Sequence, residues 1–333
     1  MDLVSSSGLR RLCALAFFIA TSSIGFAESH RPIEEVLVVA KQPGPKLWRV
    51  TNGTHELWIL GMLSPLPKNI DWDSSSVEAV LTDAEVIIQQ PGITVSANPF
   101  KLLWVAPSLL GVQKIPNKKK LVDLLSPDLY ERWSELKALY IGRDKGIERL
   151  RPVIAADRLF RAALEDSGLT RSSDIHRTVG KLVKRHKIEK IETSVERRIK
   201  NPRAAVKKFK SSHIEDINCF RKTVERIEVD LQIMSARAKA WADGDLQALK
   251  ALPYEDHNAI CIEAVLNSSF ADDLAAELDL VDVEELVKQN WITAAVKALE
   301  TKQVSFATLP IEELLDPDGY VETLAEMGYL VRR

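Results

Sequence analysis

The stretch LWRVTNGTHELWIL at residues 47–60 contains two short apolar runs that are separated by a polar turn. Leu, Trp, Val and Ile dominate both runs, and these side chains are typical of β-strands. Asn52-Gly53 lies between the runs, and this dipeptide favours tight hairpin turns because both residues tolerate a positive φ. The stretch therefore predicts a β-hairpin.

Outward from this hairpin, strand and helix signals alternate along the chain. Short strands are predicted at residues 85–90, 187–192, 303–309 and 329–332. Helices are predicted over 73–83, from Pro127, from Pro152, over 172–186, from Asn201 to about Trp241, and over 316–327. The expected fold class is α/β, with a small mixed β-sheet built from the N- and C-terminal halves and a large helical insertion at about 121–300.

The first 27 residues have the order of a secretory signal peptide. Arg10 and Arg11 precede an apolar run that ends in the small residues Gly25 and Ala27. The alternative is an uncleaved anchor, although the run is short for a permanent membrane span. We therefore expect a signal peptide at 1–27, a single domain at 28–333, and a periplasmic or secreted location.

The composition is that of an ordinary globular chain, with 46% hydrophobic and 28% charged residues and a formal net charge of −2. This balance excludes a disordered tail protein and gives no reason to expect a nucleic-acid partner. No segment after residue 27 is apolar enough to predict a transmembrane helix. Cys219 and Cys261 remain in the exported chain, either as a disulfide or as two thiols.

Charge is unevenly distributed between two parts of the chain. Residues 243–333 contain 19 acidic and 6 basic side chains, whereas residues 28–242 contain 37 basic and 27 acidic ones. Two oppositely charged lobes that attract each other or are simply solvated explain this pattern. A basic surface for an acidic partner, centred on residues 197–210 with Lys207 and Lys208, is the alternative.

The order of these pieces resembles the TraB/GumN family, to which the Tiki proteases are related. The resemblance rests on LWRVTNGTHELWILGMLSPLP, DWDSSSVEAVLTDAEVIIQQ, Asp174, KIEKIETSVERRI, AWADGDLQAL and the tail SFATLPIEELLDPDGYVETLAEMGYLVRR. It covers the chain from about Val36 to Arg333. The resemblance implies a metal-dependent hydrolase in which two G-x-x-H histidines and a glutamate converge on a metal.

This chain departs from the family pattern at those positions. The first motif is Gly61-Met62-Leu63-Ser64, with serine in place of histidine, and the following strand ends in Gln90 where the family has glutamate. The second motif falls on residues 310–313 and ends in Glu313. The family's Arg-Asn pair on the preceding helix appears as Gln289-Asn290, and only Glu192 still matches. Serine and neutral amides are poor ligands for zinc-like metals.

Other metal or nucleophile assignments have less support in the residues. His55 lies in the hairpin turn, where a solvated histidine is the default interpretation. Glu312, Glu313 and Asp316 are a possible site for a hard cation or an acidic loop that caps a helix beginning near Pro317. Ser64 is not in a G-x-S-x-G elbow, which argues against a serine nucleophile.

Three functions remain open. The first is an exported family member that has lost metal catalysis and retains a cleft for a small ligand or peptide, with no cofactor. The second is an active hydrolase with a divalent metal on substituted ligands such as Glu192 and Glu313. The third is an envelope protein that binds a partner through the basic helix after Asn201.

Overall fold

The predicted hairpin is confirmed in the computed structural model. The structure describes residues 44–98, 111–171, 174–211, 217–252 and 282–333, and four single residues at 105, 107, 278 and 280. Strand β1 (Leu47–Thr51) pairs antiparallel with β2 (Glu56–Met62). The Asn52 side-chain oxygen accepts hydrogen bonds from the backbone N–H groups of Thr54 and His55. This local bonding holds the turn between the two strands.

A mixed six-stranded sheet is the centre of the fold, in the order β10-β1-β2-β9-β4-β7. The further strands are β3 (Leu66–Pro67), β4 (Val86–Ile88), β5 (Ile93–Ala97), β6 (Leu169–Thr170), β7 (Glu189–Ile191), β8 (Val195–Ile199), β9 (Val304–Pro310) and β10 (Leu330–Arg332). Strands β2, β9, β4 and β7 run parallel, and β1 is antiparallel to both β2 and β10. The sheet thus joins both ends of the chain, and the α/β prediction is confirmed.

Helices surround this sheet and also form a separate layer of their own. They are α1 (Ser75–Asp83), α2 (Pro127–Tyr140), α3 (Pro152–Asp166), α4 (Asp174–His186), α5 (Pro202–Ser211), α6 (Ile217–Ala242), α7 (Leu246–Ala251), α8 (Val283–Thr301), α9 (Ile311–Leu315) and α10 (Tyr320–Glu326). Proline occupies the first turn of α2 and α3, where its missing N–H costs no hydrogen bond. The Asn201 side chain accepts a hydrogen bond from the backbone of Ala204 at the start of α5.

The buried side chains form two large hydrophobic clusters. One surrounds the six-stranded sheet and includes Trp48, Trp241 and Trp291, while the other lies between α2, α3 and α6 and includes Trp133 and Phe220. Helix α6 belongs to both clusters, since its first part packs in the second and its last turns pack in the first. This long helix therefore connects the helical layer to the end of the sheet.

Two predictions need correction. The helix predicted over 316–327 begins only at Tyr320, as α10, after a turn stabilised by the Asp316 side chain, and the short helix α9, directly after β9, was not predicted. The acidic residues Glu312 and Glu313 therefore lie inside α9 and do not form a capping loop. In addition, β5 and β8 form a separate two-stranded sheet that local patterns did not indicate, because its pairing joins distant segments.

Several predictions lie outside the described residues. The signal peptide at 1–27, residues 212–216 of the predicted long helix, and Cys261 all belong to this group. Cys219 is disulfide-bonded. Among the described helices, none has both the length and the apolar character that a membrane span requires.

Candidate functional site

The ends of four parallel strands meet at one edge of the main sheet. Gly61 of β2 lies opposite Leu309 of β9, and Ile88 of β4 lies between Ala307 of β9 and Ile191 of β7. Because these strands run in the same direction, the residues that follow them share this carboxyl edge, where α/β sheets bind ligands. The predicted positions Ser64, Gln90, Glu192 and Glu313 all follow these strands.

Gly61 is required by the close approach of helix α9 to the end of β2. A Cβ atom at this position would lie 2.4 Å from Cδ1 of Ile311 and 3.0 Å from Cδ1 of Leu314. Both side chains are almost completely buried. Gly61 therefore has a packing role in this chain.

Trp241 fixes the same position from the other side. Its indole Nε1 donates a buried hydrogen bond of 2.7 Å to the carbonyl oxygen of Gly61, and its ring lies 5.8 Å from that of Trp72. Helix α6 ends one residue later at Ala242, and Gly244 follows with a positive φ of 68°. The last turn of α6 is thereby attached to the motif strand.

Ser64 is exposed just beyond β2, and its hydroxyl donates to the backbone carbonyl of Arg171 at 3.4 Å. His55 lies at the opposite end of β2, where its Nδ1 is 2.8 Å from the carbonyl oxygen of Leu299. In the described part of the chain, no hydrogen bond joins Ser64 to a histidine. A serine nucleophile would need a base within reach, so this arrangement gives Ser64 no means of activation.

His55 is more than a solvated turn residue, which corrects the sequence-based interpretation. It is half-buried, and both its ring nitrogen and the Asn52 side-chain nitrogen contact the carbonyl oxygen of Leu299 near the end of α8. These contacts attach the hairpin turn to α8. The role of His55 is structural, at a distance from the carboxyl edge.

Gln90 and Glu192 lie where β4 and β7 end. The buried hydroxyl of Thr193 is 3.1 Å from the carbonyl oxygen of Gln89 and 3.4 Å from that of Gln90. The Gln89 N–H also donates to the carbonyl of Ile191 at 3.0 Å. The Gln90 residue is half-buried and Glu192 is exposed, so both polar side chains border the carboxyl edge.

Glu313 occupies an environment that favours its neutral form. Burial is the main cause that raises the pKa of its carboxyl group, the negative charge of Asp316 raises the pKa further, and Lys288 partly opposes the shift. Perturbed carboxyl groups of this kind are typical of functional sites. Gly319 lies close to this helix, since a Cβ there would be 2.2 Å from the carbonyl oxygen of Glu313.

Tyr320 adds a second buried titratable group beside Glu313. Burial raises the pKa of its phenol, and the charges of Glu313 and Glu285 raise it further. The ring contacts Trp291 edge-on, with centroids 5.3 Å apart. Tyr320 therefore stays protonated and is available as a hydrogen-bond donor at neutral pH.

Glu312, next to Glu313, anchors α9 to the rest of the molecule. Arg237 of α6 is buried and donates to Glu312 at 2.7 Å and to the backbone carbonyl of Leu252 at 2.7 Å. Hydrogen bonds from a guanidinium to a carboxylate are strong because both partners are charged. This ion pair fixes the helix that covers Gly61.

Asn290 of the family's helix pair is exposed on α8, as is Gln289, whose side-chain amide donates to Glu285 at 2.8 Å. Lys207 is exposed on α5, and the side chain of Lys208 is outside the described residues. The structure thus brings Gly61, Ser64, Gln90, Glu192 and Glu313 to one edge of the sheet.

The donor atoms at the motif positions do not fit a histidine-bound metal. Ser64 contributes a neutral hydroxyl and Gln90 a neutral amide, and neither group is a good ligand for zinc-like metals. Within the described ranges, no group of three or more His, Cys, Asp or Glu side chains has the arrangement of a metal site. We therefore derive no reaction step through a metal.

Sequence reasoning missed three residues that shape this edge: Trp241, Arg237 and Tyr320. For Arg237 a signal was present, because it is a lone cation on the apolar face formed by Met234, Ala238 and Trp241 of α6. A charged residue on such a face is expected to have a specific buried partner. The partner itself, Glu312, is 75 residues away and could not be identified locally.

Comparison with known proteins gives one family. No curated protein and no solved structure matches this chain. The model of the TraB/PrgY/gumN family matches residues 46–333, which includes every strand and helix described above. The chain therefore belongs to the TraB/PrgY/gumN family.

Proposed function

We propose that this chain is an exported TraB/PrgY/gumN protein that binds a peptide or small ligand at the carboxyl edge of its sheet without metal-dependent hydrolysis. The observation that carries this proposal is a contrast within one motif. Gly61 remains essential for packing under α9, whereas the histidine position holds Ser64, which donates to a backbone carbonyl. The family scaffold is retained while the metal-binding chemistry is replaced.

The proposed ligand would meet hydrogen-bonding groups of several kinds. Ser64 and Glu192 are exposed, and Gln90 and Glu313 are half-buried. Amides, hydroxyls and a carboxyl group can donate and accept hydrogen bonds with a peptide backbone. This set supports binding of a neutral polar ligand such as a peptide better than binding of a metal ion.

A second candidate is an active hydrolase that uses Glu192 and Glu313. The raised pKa of Glu313 favours it, because burial of a carboxyl group moves its pKa in the direction that general acid–base catalysis uses. A hard divalent cation would then have only carboxylate and carbonyl oxygens as ligands. The two candidates differ in metal content, which can be measured directly.

The deciding experiment is elemental mass spectrometry of the full chain purified without chelator and without a histidine tag. Thermal unfolding is then recorded with Zn²⁺, Mn²⁺, Co²⁺ and Ca²⁺ for the parent protein and for the variants Glu313→Ala and Glu192→Ala. Glu189→Ala is the matched control, because Glu189 is an exposed carboxylate at the opposite end of β7.

We expect no stoichiometric metal and no ion-dependent change in melting temperature for any of these proteins. Stoichiometric metal that is lost in Glu313→Ala or Glu192→Ala and retained in Glu189→Ala would overturn the proposal in favour of the hydrolase. Export is tested separately by sequencing the amino terminus of the protein recovered from the cell envelope and the medium. We expect a new terminus near residue 28.

A further inference from the structure

A two-stranded ribbon, formed by β5 and β8, continues from the carboxyl edge of the main sheet. Its strands run parallel, with Ile93 opposite Val195 and Ala97 opposite Ile199. Strand β5 begins three residues after Gln90, and β8 begins three residues after Glu192. The ribbon therefore starts at the candidate site and leads away from it.

Strand β5 exposes an apolar, β-branched surface. Ile93 is 44% exposed and Val95 is 51% exposed, and Thr94 between them is also exposed. Within the described part of the chain, β8 is the one strand that pairs with β5. On its β8 side the ribbon packs against α8, where Val195 clusters with Val283 and Val287. A third strand along the outer edge of β5 would cover its exposed side.

The other sheet edges are protected in ways that β5 is not. Strand β10 at one edge of the main sheet has three residues and ends in Arg332, and β7 at the other edge has three residues that include Glu189 and Lys190. Short length and charged side chains prevent unwanted pairing of edge strands. Strand β5 has five residues and no charge or proline, which indicates that pairing at this edge is tolerated or used.

The charge next to β5 indicates the chemistry of the partner. The segment 195–203, which contains β8 and the start of α5, has four basic side chains and one acidic one. Arg198 and Arg203 are exposed, and Arg198 is 3.5 Å from Glu196, the acidic residue of this segment. Acidic side chains on an added strand would be attracted by this basic surface.

We propose that the outer edge of β5 binds an extended, acidic peptide segment of a partner protein as a third strand of the ribbon. The main-chain groups of the peptide pair with β5, its apolar side chains cover Ile93 and Val95, and its acidic side chains are attracted across β5 by the net positive charge of the basic segment. The inference rests on the proposed function, since one end of the peptide then lies beside Gln90 at the candidate site.

The test uses the full chain with EDTA present, so that peptide binding is measured independently of metal. The probe is a pool of fluorescent peptides of about nine residues, the length of a strand, in which Val, Ile or Thr alternate with Asp or Glu. A control pool has Lys or Arg at the acidic positions, and a third pool carries N-methyl groups that block main-chain pairing. Affinity is measured by fluorescence anisotropy, and hydrogen exchange is followed over residues 86–98.

The variants are Val95→Glu and Arg203→Glu, with Val229→Glu as the matched control because Val229 is 59% exposed on α6. We expect the acidic pool to bind at least about ten-fold more tightly than the basic pool, since the basic segment attracts acidic side chains and repels basic ones across β5. Val95→Glu and Arg203→Glu should weaken binding by a similar factor, and Val229→Glu should not. Exchange should slow at residues 93–97.

Equal binding of the acidic and N-methylated pools, or binding without slower exchange at residues 93–97, would overturn the proposal. Loss of affinity in Val229→Glu equal to that in Val95→Glu would do the same. The two proposals fail separately: stoichiometric metal together with peptide binding at β5 contradicts only the proposed function. A metal-free protein that binds no pool contradicts only the ribbon proposal.

Discussion

The substitution Gly61→Ala tests whether helix α9 presses on the motif strand as closely as the structure indicates. The new methyl group would lie 2.4 Å from Cδ1 of Ile311, whereas carbon atoms in contact are normally about 3.5–4.0 Å apart. Ile311 is 1% exposed and has little space into which it can move. Overpacking of this kind costs about 1–3 kcal/mol of unfolding free energy.

Ile311→Val removes the atom responsible for the closest contact. In Gly61→Ala, the new methyl carbon would lie 3.5 Å from the next Ile311 atom, Cγ1, which is an ordinary contact distance. The single substitution Ile311→Val should cost about 0.5–1.5 kcal/mol. If the clash is real, the double variant loses less stability than the sum of the two single variants, by about 1 kcal/mol, within the range that coupled neighbours show.

Urea unfolding of the four proteins, followed by tryptophan fluorescence and by circular dichroism, gives the four free energies. Gly180→Ala is the control, because Gly180 lies inside α4 and no atom is within 4 Å of its added Cβ. That change should stabilise the protein by about 0.5–1 kcal/mol. Additive effects in the Gly61 and Ile311 cycle, or a neutral Gly61→Ala, would show that α9 does not press on β2.

Three further predictions concern the same edge. Glu313→Gln should stabilise the protein at pH 7–8 and have little effect below about pH 4. A carboxyl group with a raised pKa contributes stability at low pH that is lost as pH rises, and the neutral glutamine avoids this loss. Equal effects of the substitution at both pH values would contradict this. Trp241→Phe leaves the Gly61 carbonyl without its indole donor and should cost about 1–3 kcal/mol in urea unfolding. Glu312→Ala leaves Arg237 without this carboxylate and should lower stability, whereas Glu312→Gln, which keeps an acceptor oxygen and loses the charge, should lower it less; full stability in Glu312→Gln would exclude the charge of the ion pair as the cause.

The local parts of the fold were accessible from the sequence. The hairpin at 47–60, the proline-opened helices α2 and α3, and the apolar face of α4 are confirmed, with Ile175, Val179, Leu182 and Val183 all buried. Each depends on neighbouring residues only, through turn conformation, helix capping or a period of 3.6 residues. Family membership was also recognisable, because the order of these local pieces is itself a sequence property.

The candidate site was only partly predictable. The strand ends at Ser64, Gln90 and Glu192 could be expected at one edge, since parallel strands share their carboxyl ends. Helix α9 was missed, because its Ile311 and Leu314 side chains pack on Gly61, a strand residue near the other end of the chain. The role of Arg237 was missed for the same reason.

The sequence by itself determined most of the strands and helices and their order, because propensity and capping act over a few neighbouring positions. Only the tertiary structure decided that Trp241 bonds to Gly61, that Arg237 holds Glu312, and that β5 pairs with β8. The two partners of the first contact are 180 residues apart. Such contacts depend on how distant parts of the chain pack around the sheet, and local sequence patterns do not predict which distant residues meet.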